Sequence, residues 1–317
     1  MIYIRESDVA RLLTYDEAIR AVEEGFRLIE AGQAVNIPRS RAIVPGAVLH
    51  VLQGAVLGSY RVAGLKTYLS TRSGTRFAIL LFSLDSGELI ALIEADRLGQ
   101  IRTGAASAVA SMHMARVKPQ VISIVGSGRQ ARAQFEALTT AYSPRLIKVI
   151  SRTRSHAEDF ARYISSRGFD VRIVDRYDEA CGADILATAT NSKDPFIRGD
   201  CLPEGIHVNA IGSNWHNRAE LAPDAVLKAD LIAVDDVNQA RIEAGDLIMA
   251  GEAAWSRVVP LSSIVAGRVK GRPGESSITI FKSLGIAIED LVVAKVVYDK
   301  AVKEGVGLSI EFKGMYP

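Results

Sequence analysis

The chain has 317 residues, 48% of them apolar and 23% charged, and its 38 basic against 36 acidic side chains leave a net charge of +2. Such a chain can bury a sizeable core, and its length predicts two domains or one large one. The balanced charge excludes a strong field for nucleic acid or a membrane surface, no stretch approaches the ~20 apolar residues of a membrane helix, and two cysteines exclude a disulfide scaffold.

Cys181 and Cys201 lie in no CxxC or Cys/His ligand spacing, so both read as reduced thiols and no metal is expected. The N-terminus, MIYIRESDVARLL, lacks a signal-peptide apolar segment, which predicts a cytoplasmic protein.

In chain order, residues 14–32 predict an amphipathic helix. Thr14 and Glu17 form a capping box, Ile19, Val22, Phe26 and Ile29 one stripe, and Gly32 a stop. Between 40 and 94, short runs rich in Val, Leu, Ile, Tyr and Thr are broken by glycines such as Gly46, Gly58, Gly74 and Gly87. That is the texture of an antiparallel sheet with tight connections, DSGE (85–88) being a hairpin turn. RTGAASAVASMHMA (102–115) reads as a helix opened by Arg102.

From 121 the texture changes to near-continuous apolar runs: VISIVG, LIKVISR, DVRIVD, ADILATAT, HVNAIG and DLIAVDD, separated by helical patterns. Buried parallel strands have this character because helices cover both faces of their sheet. The fold class is therefore α/β: a doubly wound Rossmann domain over 116–290, inserted in a discontinuous α+β domain made of 1–115 and 291–317. A long helix begins near Ile286, and the lone strand GLSIEF (307–312) needs a partner in the first sheet.

A dinucleotide site needs a tight turn after a first strand and close approach of backbone to pyrophosphate at a helix N-terminus. VISIV supplies the strand, Gly126 the turn and Gly128 the approach, with Ala131 in the third, helix-packing place. The second strand ends in Ser151, Arg152 and Thr153, with no acid at 149–153. An acid there binds a ribose 2′-hydroxyl, whereas arginine accommodates a 2′-phosphate, so NADP(H) is expected to be preferred with NAD(H) possible.

With these motifs the sequence resembles the ornithine cyclodeaminase/mu-crystallin family over nearly its whole length. The carriers are GLKTYLS (64–70), IRTGAASAVA (101–110), VGSGRQA (125–131), SRT (151–153), NAIGSN (209–214), DD (235–236) and ITIFKSLGIAIEDLVVAKVVY (278–298). The resemblance implies a homodimer, a nicotinamide cofactor, and a substrate and dimerisation domain completed by the C-terminus. Its members include ornithine cyclodeaminases, archaeal alanine dehydrogenases, ketimine reductases acting on cyclic imino acids, and a hormone-binding crystallin.

Those substrates place an α-carboxylate beside an imine or amine carbon, and a carboxylate favours a fixed guanidinium. Arg102, at its expected helix start, matches the family's carboxylate-binding arginine. Arg41 matches a second substrate-binding arginine, with Arg39 two residues away on the same strand face. Lys66 lies in the apolar run VAGLKTYL, where a lysine either snorkels at an edge or is held by a functional group. By resemblance it faces the substrate, bonding the carboxylate or imine nitrogen and passing a proton.

Asn214 stands where cyclodeaminases carry an aspartate. An amide orients but cannot act as a base, which argues against deamination–cyclisation and leaves hydride transfer to a preformed C=N bond intact. His216 nearby is available as an acid, although loop histidines are more often bystanders. Thr188 and Thr190 end a strand on the cofactor side. The resemblance adds Thr103, Arg129, Gln130, Ser213, Lys282, Ser283 and Gly285 to the cofactor-contacting set. Asp235 and Asp236 read as a strand-end turn or cap. The reading is an NAD(P)H-dependent reductase of cyclic imino acids, with alanine dehydrogenase, ornithine cyclodeaminase and a non-catalytic NADPH-binding protein as alternatives.

Overall fold

The chain opens with a short strand, β1 (Ile2–Ile4), and two helices, α1 (Glu6–Leu12) and α2 (Tyr15–Glu30), in the computed structural model, which describes residues 1–314. The capping box forms as expected: the Thr14 hydroxyl accepts from Glu17 N, and the Glu17 carboxylate accepts from Thr14 N. Gly32, at φ +69°, follows the helix in the left-handed region that glycine tolerates.

Five strands follow as an antiparallel meander: β2 (Ala34–Val44), β3 (Ala47–Val56), β4 (Val62–Thr71), β5 (Gly74–Ser83) and β6 (Leu89–Glu94). The sheet is mixed rather than wholly antiparallel, because β1 pairs parallel to β6. In β2 the register shifts between Ile37 and Ser40, so Pro38 and Arg39 both oppose Leu52. Proline has no N–H for the ladder, which makes this a natural place for a bulge. Arg39 is buried there and Arg41 half-buried.

Helix α3 (Asp96–Met114) starts before the position expected from the sequence. Arg102 therefore lies inside the helix and not at its positive end, so the helix dipole does not help it hold an anion. The ADRLGQ segment, with Gly99 and a cluster of polar residues, hides the first turns from a pattern reading.

Next come β7 (Val121–Val125), α4 (Arg129–Ala141), β8 (Leu146–Ile150), α5 (Arg154–Ser166), β9 (Val171–Ile173), α6 (Tyr177–Cys181), β10 (Ile185–Thr188) and β11 (His207–Ala210). They are followed by α7 (Pro223–Lys228), β12 (Leu231–Val234), α8 (Val237–Glu243), α9 (Gly245–Ala250), α10 (Glu252–Trp255), β13 (Val258–Pro260), α11 (Leu261–Val265) and β14 (Thr279–Lys282). These strands make one parallel sheet in the order β13-β12-β14-β11-β10-β7-β8-β9. Every residue of β10, β11, β12 and β14 is buried, the packing that continuous apolar runs require. The direction of winding reverses between β7 and β10, and the crevice beyond the carboxyl ends of such strands is where α/β sheets bind ligands.

The chain then forms α12 (Ala287–Glu304) and β15 (Leu308–Ser309), which pairs antiparallel with β1. Two compact units result: Met1–Arg102 together with the chain from Gly285 onward, and Thr103–Leu284. The division falls at 102/103 and 284/285, against the 115/116 and 290/291 expected from the sequence.

Cys181 and Cys201, expected as separate reduced thiols, are joined as a disulfide. The chain returns after β10 in a single 3-10 turn packed on the end of α6, which brings the two Cα atoms to 5.8 Å, inside the usual bridging range. Among the described residues no helix is long and apolar enough to cross a membrane.

Candidate active site

The glycine turn after β7 forms one wall of a cavity of about 500 Å3 in the parallel-sheet unit. Gly126 has φ +114°, and a Cβ on it would lie 2.6 Å from the Ala189 carbonyl oxygen, so conformation and space both demand glycine. Gly128 caps α4, and a Cβ there would project into open space, leaving room for another molecule to approach the backbone. Ala131 is fully buried beneath the helix, in the small-residue place.

The cavity is lined by Gly126, Gly128, Arg129, Gln130, Ser151, Arg152, Thr153 and Thr190, bringing together eight residues expected from the sequence. Neither α4 nor α5 has an acid in its first turn, so both positive helix ends are left open to an anion. The Ser127 and Ser151 hydroxyls bond at 2.8 Å and tie the glycine turn to the end of β8. Tyr177 and Phe196, with ring centroids 4.8 Å apart and planes tilted by 31°, add aromatic faces to the lining, which also includes His156. Sequence reading missed these three because nothing in a single sequence places them near the turn. The lining fits a dinucleotide: a glycine cradle, helix N-termini, aromatic faces and two exposed arginines, Arg129 and Arg152.

Other expected residues lie elsewhere. Thr188 is fully buried and its hydroxyl donates to Glu220 at 2.6 Å. Lys282 is also fully buried; its ammonium pairs with Asp246 at 2.8 Å and donates to the Ser213 carbonyl at 2.7 Å, so its charge is used inside the protein. Ser283 N bonds to Ala210 O, and the Thr103 carbonyl accepts from Gln134. Asn214 is half-buried in the loop after β11, and His216 in the same loop is exposed. Asp236 caps α8 through Gln239 N, as expected, whereas the Asp235 carboxylate accepts from Leu284 N in the segment after β14 and caps no helix.

The first unit holds a second constellation. Lys66, on β4 between Leu52 and Ile79, is 3% exposed, and its ammonium meets Asp290 at 2.7 Å. Arg102 bridges two acids: Nη1 to Glu289 at 2.6 Å and Nε to Asp290 at 2.9 Å. Both acids lie in the first turn of α12, which Asn36 of β2 caps by accepting from Ala287 N. A Cβ on Gly285, at φ +74°, would lie 2.4 Å from the Arg102 guanidinium, so glycine is required beside it. Burial, with the Arg102 charge adding, brings the Lys66 ammonium down to about 8 against the pull of Asp290.

Arg41 stands opposite His50, and His50 opposite Tyr68, whose rings stack at 4.2 Å. Burial first, then the charges of Arg41 and Arg39, push the His50 imidazole down to about 4, so it is neutral at physiological pH. Arg39 donates to the Gly285 carbonyl at 2.9 Å. Both arginines thus belong to this inner row. Glu289 and Asp290 were missed, although two adjacent acids in the apolar helix IAIEDLVVAKVV are a readable sign of buried charge pairing.

A glycine turn at the switch point of a parallel sheet, with a buried lysine–arginine–carboxylate cluster in the other unit, defines the class as a nicotinamide-dependent oxidoreductase. Residues 2–305 match the Ornithine cyclodeaminase/mu-crystallin family, and the chain belongs to it. It is 37% identical to a Delta(1)-pyrroline-2-carboxylate reductase of Bacillus cereus, across 74% of each chain. The structure of the Thermococcus litoralis Delta(1)-pyrroline-2-carboxylate reductase with NADH and L-proline is similar with a TM-score of 0.93 and 30% identity, covering 98% of this chain and 100% of that one. An archaeal alanine dehydrogenase dimer with bound NAD matches at a TM-score of 0.93 and 31% identity, covering 98% and 99%.

Proposed function

We propose that the protein reduces the C=N bond of a small cyclic imino acid, converting Δ1-pyrroline-2-carboxylate to L-proline, with NADPH preferred over NADH. The buried Lys66–Asp290–Arg102–Glu289 cluster carries this reading, because it joins a carboxylate-binding guanidinium to an ammonium able to release a proton near neutral pH. When bound, the cofactor supplies the hydride that adds to the imine carbon. Arg102 holds the substrate carboxylate, with Asp290 and Glu289 fixing its plane, and Arg41 adds a second cation. Lys66 passes its proton to the imine nitrogen, so the C=N bond becomes CH–NH. Asn214 orients but does not abstract a proton, which favours reduction over deamination–cyclisation.

The reductase relatives, one of them bound to NADH and L-proline, support this substrate class. The likeness to an alanine dehydrogenase supports a second reading, reductive amination of pyruvate by the same cluster. Following NADPH and NADH oxidation at 340 nm with Δ1-pyrroline-2-carboxylate, and separately with pyruvate and ammonia, decides between them. Turnover of the cyclic imine is expected. Ammonia release from ornithine with catalytic NAD would overturn the reading of Asn214.

The NADPH preference rests on Arg152, exposed at the cavity, with no acid at 149–153. A charge-assisted hydrogen bond is worth roughly 1.5–3 kcal/mol. Arg152→Ala is therefore expected to raise KM for NADPH by about tenfold or more and leave KM for NADH nearly unchanged. Equal effects on both cofactors would remove Arg152 from 2′-phosphate recognition. We further propose a homodimer, supported by exposed Val35, Val44, Leu49 and Leu69 on β2, β3 and β4 and by the dimeric alanine dehydrogenase.

A further inference from the structure

Glu220 is fully buried in the loop between β11 and α7, and its carboxylate binds two neighbouring strand ends at once. Oε1 accepts from the Thr190 amide and hydroxyl, both at 2.7 Å. Oε2 accepts from the Thr188 hydroxyl at 2.6 Å and from Gly212 N at 2.9 Å. Thr188 ends β10, and Thr190 lies in the 189–192 segment that lines the cavity; Gly212 belongs to the loop leaving β11. The packing is tight. A Cβ on Gly212 would lie 2.3 Å from both a Glu220 oxygen and the Thr190 carbonyl, so the two loops are laced together through this carboxylate.

The acid is itself held in place. Asp246 accepts from the backbone N of Glu220 at 2.7 Å and of Leu221 at 2.9 Å. Lys282 pairs with Asp246 and donates to the Ser213 carbonyl, one residue beyond Gly212. Buried networks of hydrogen bonds and ion pairs of this kind rigidify what they join. The neighbouring Gly126 turn packs against the Ala189 carbonyl, on the same segment that Glu220 fixes.

We propose that Glu220 is a positioning residue of the cofactor cavity, setting the Thr190–Ser192 wall against the glycine turn, and that Asp246 and Lys282 brace it. The role rests on the reading of this cavity as a nicotinamide dinucleotide site. The donor set makes the carboxylate specific. Both oxygens accept from a backbone N–H, so a glutamine in either orientation turns its NH2 against one of them.

The test uses the full chain and direct NADPH binding by quenching of protein fluorescence, so it does not depend on knowing the substrate. Glu220→Gln is expected to raise the NADPH dissociation constant at least tenfold. With the cyclic imine at saturating NADPH, it is expected to leave the imine KM within twofold of wild type. A merely structural residue would lower the active fraction and leave both constants unchanged. Thr188→Val, which is isosteric and removes one of the four bonds, is expected to weaken NADPH binding two- to threefold in a folded protein. A folded Glu220→Gln protein with wild-type NADPH affinity overturns the positioning role alone. Should that variant fail to fold, wild-type affinity in Thr188→Val overturns it. Wild-type protein that binds neither NADPH nor NADH overturns the cavity assignment and this role with it.

Discussion

Lys66→Met is expected to lower kcat for imine reduction by about a thousandfold, within the range of removing a general acid or base. Methionine fills nearly the same buried volume, and Asp290 keeps its bond to Arg102 Nε, so the fold is expected to survive. The wild-type pH profile gives an independent check. Lys66 titrates at about 8, so the ammonium that donates the proton is present below that pH and lost above it. The reductive rate should fall towards tenfold per pH unit on the alkaline side. Stability should run the other way: the unfolded chain keeps the lysine proton up to the ordinary value of 10.5, so unfolding takes up a proton between about 8 and 10.5 and this group's contribution to stability rises with pH there. The variant should lack that rise. A Lys66→Met enzyme retaining a tenth of wild-type kcat would end the proton-donor assignment.

The second large effect is expected at Arg102. Arg102→Met removes the guanidinium that meets both Glu289 and Asp290, each at most 2% exposed. Removing one partner of a buried ion pair costs about 3–5 kcal/mol, whereas replacing the pair with apolar groups of similar size is often neutral. The single variant should therefore unfold at distinctly lower denaturant and lose at least a hundredfold in kcat/KM. Adding Glu289→Leu should recover much of the stability, since Asp290 retains Lys66, while activity stays low. Urea midpoints and steady-state kinetics on both variants separate the two contributions. Recovery of kcat/KM in the double variant would show that Arg102 serves only the fold.

Most of the parallel sheet was legible because continuous apolar strands leave a local signal, as in VISIV and LIKVI. Strands β13 and β14 were harder: VVP is too short for a pattern, and TIFK ends in a lysine that looks like a surface residue. That lysine is the instructive case. Its partner Asp246 and the nearby Glu220 are far from it in sequence and meet only because β14 inserts between β12 and β11. No local pattern encodes that insertion. In the first unit, motif reading found Lys66 and Arg102, but the acids that orient them arrive on α12, from the far end of the chain. Arg39 and Arg41 could not be separated by alternation, because residues two apart share a strand face and both reach the inner row.

The pairing of Ile2 with Ser309 and the packing of α12 on the first sheet also set an order of assembly during translation. Strands β1 to β6 leave the ribosome first, yet the helix that covers them and carries Glu289 and Asp290 is made only after Thr103–Leu284. At roughly 5–20 residues per second that delay is on the order of ten to forty seconds. The segment made second can thus close its sheet while the segment made first still waits, with Lys66 and Arg102 lacking their counter-charges.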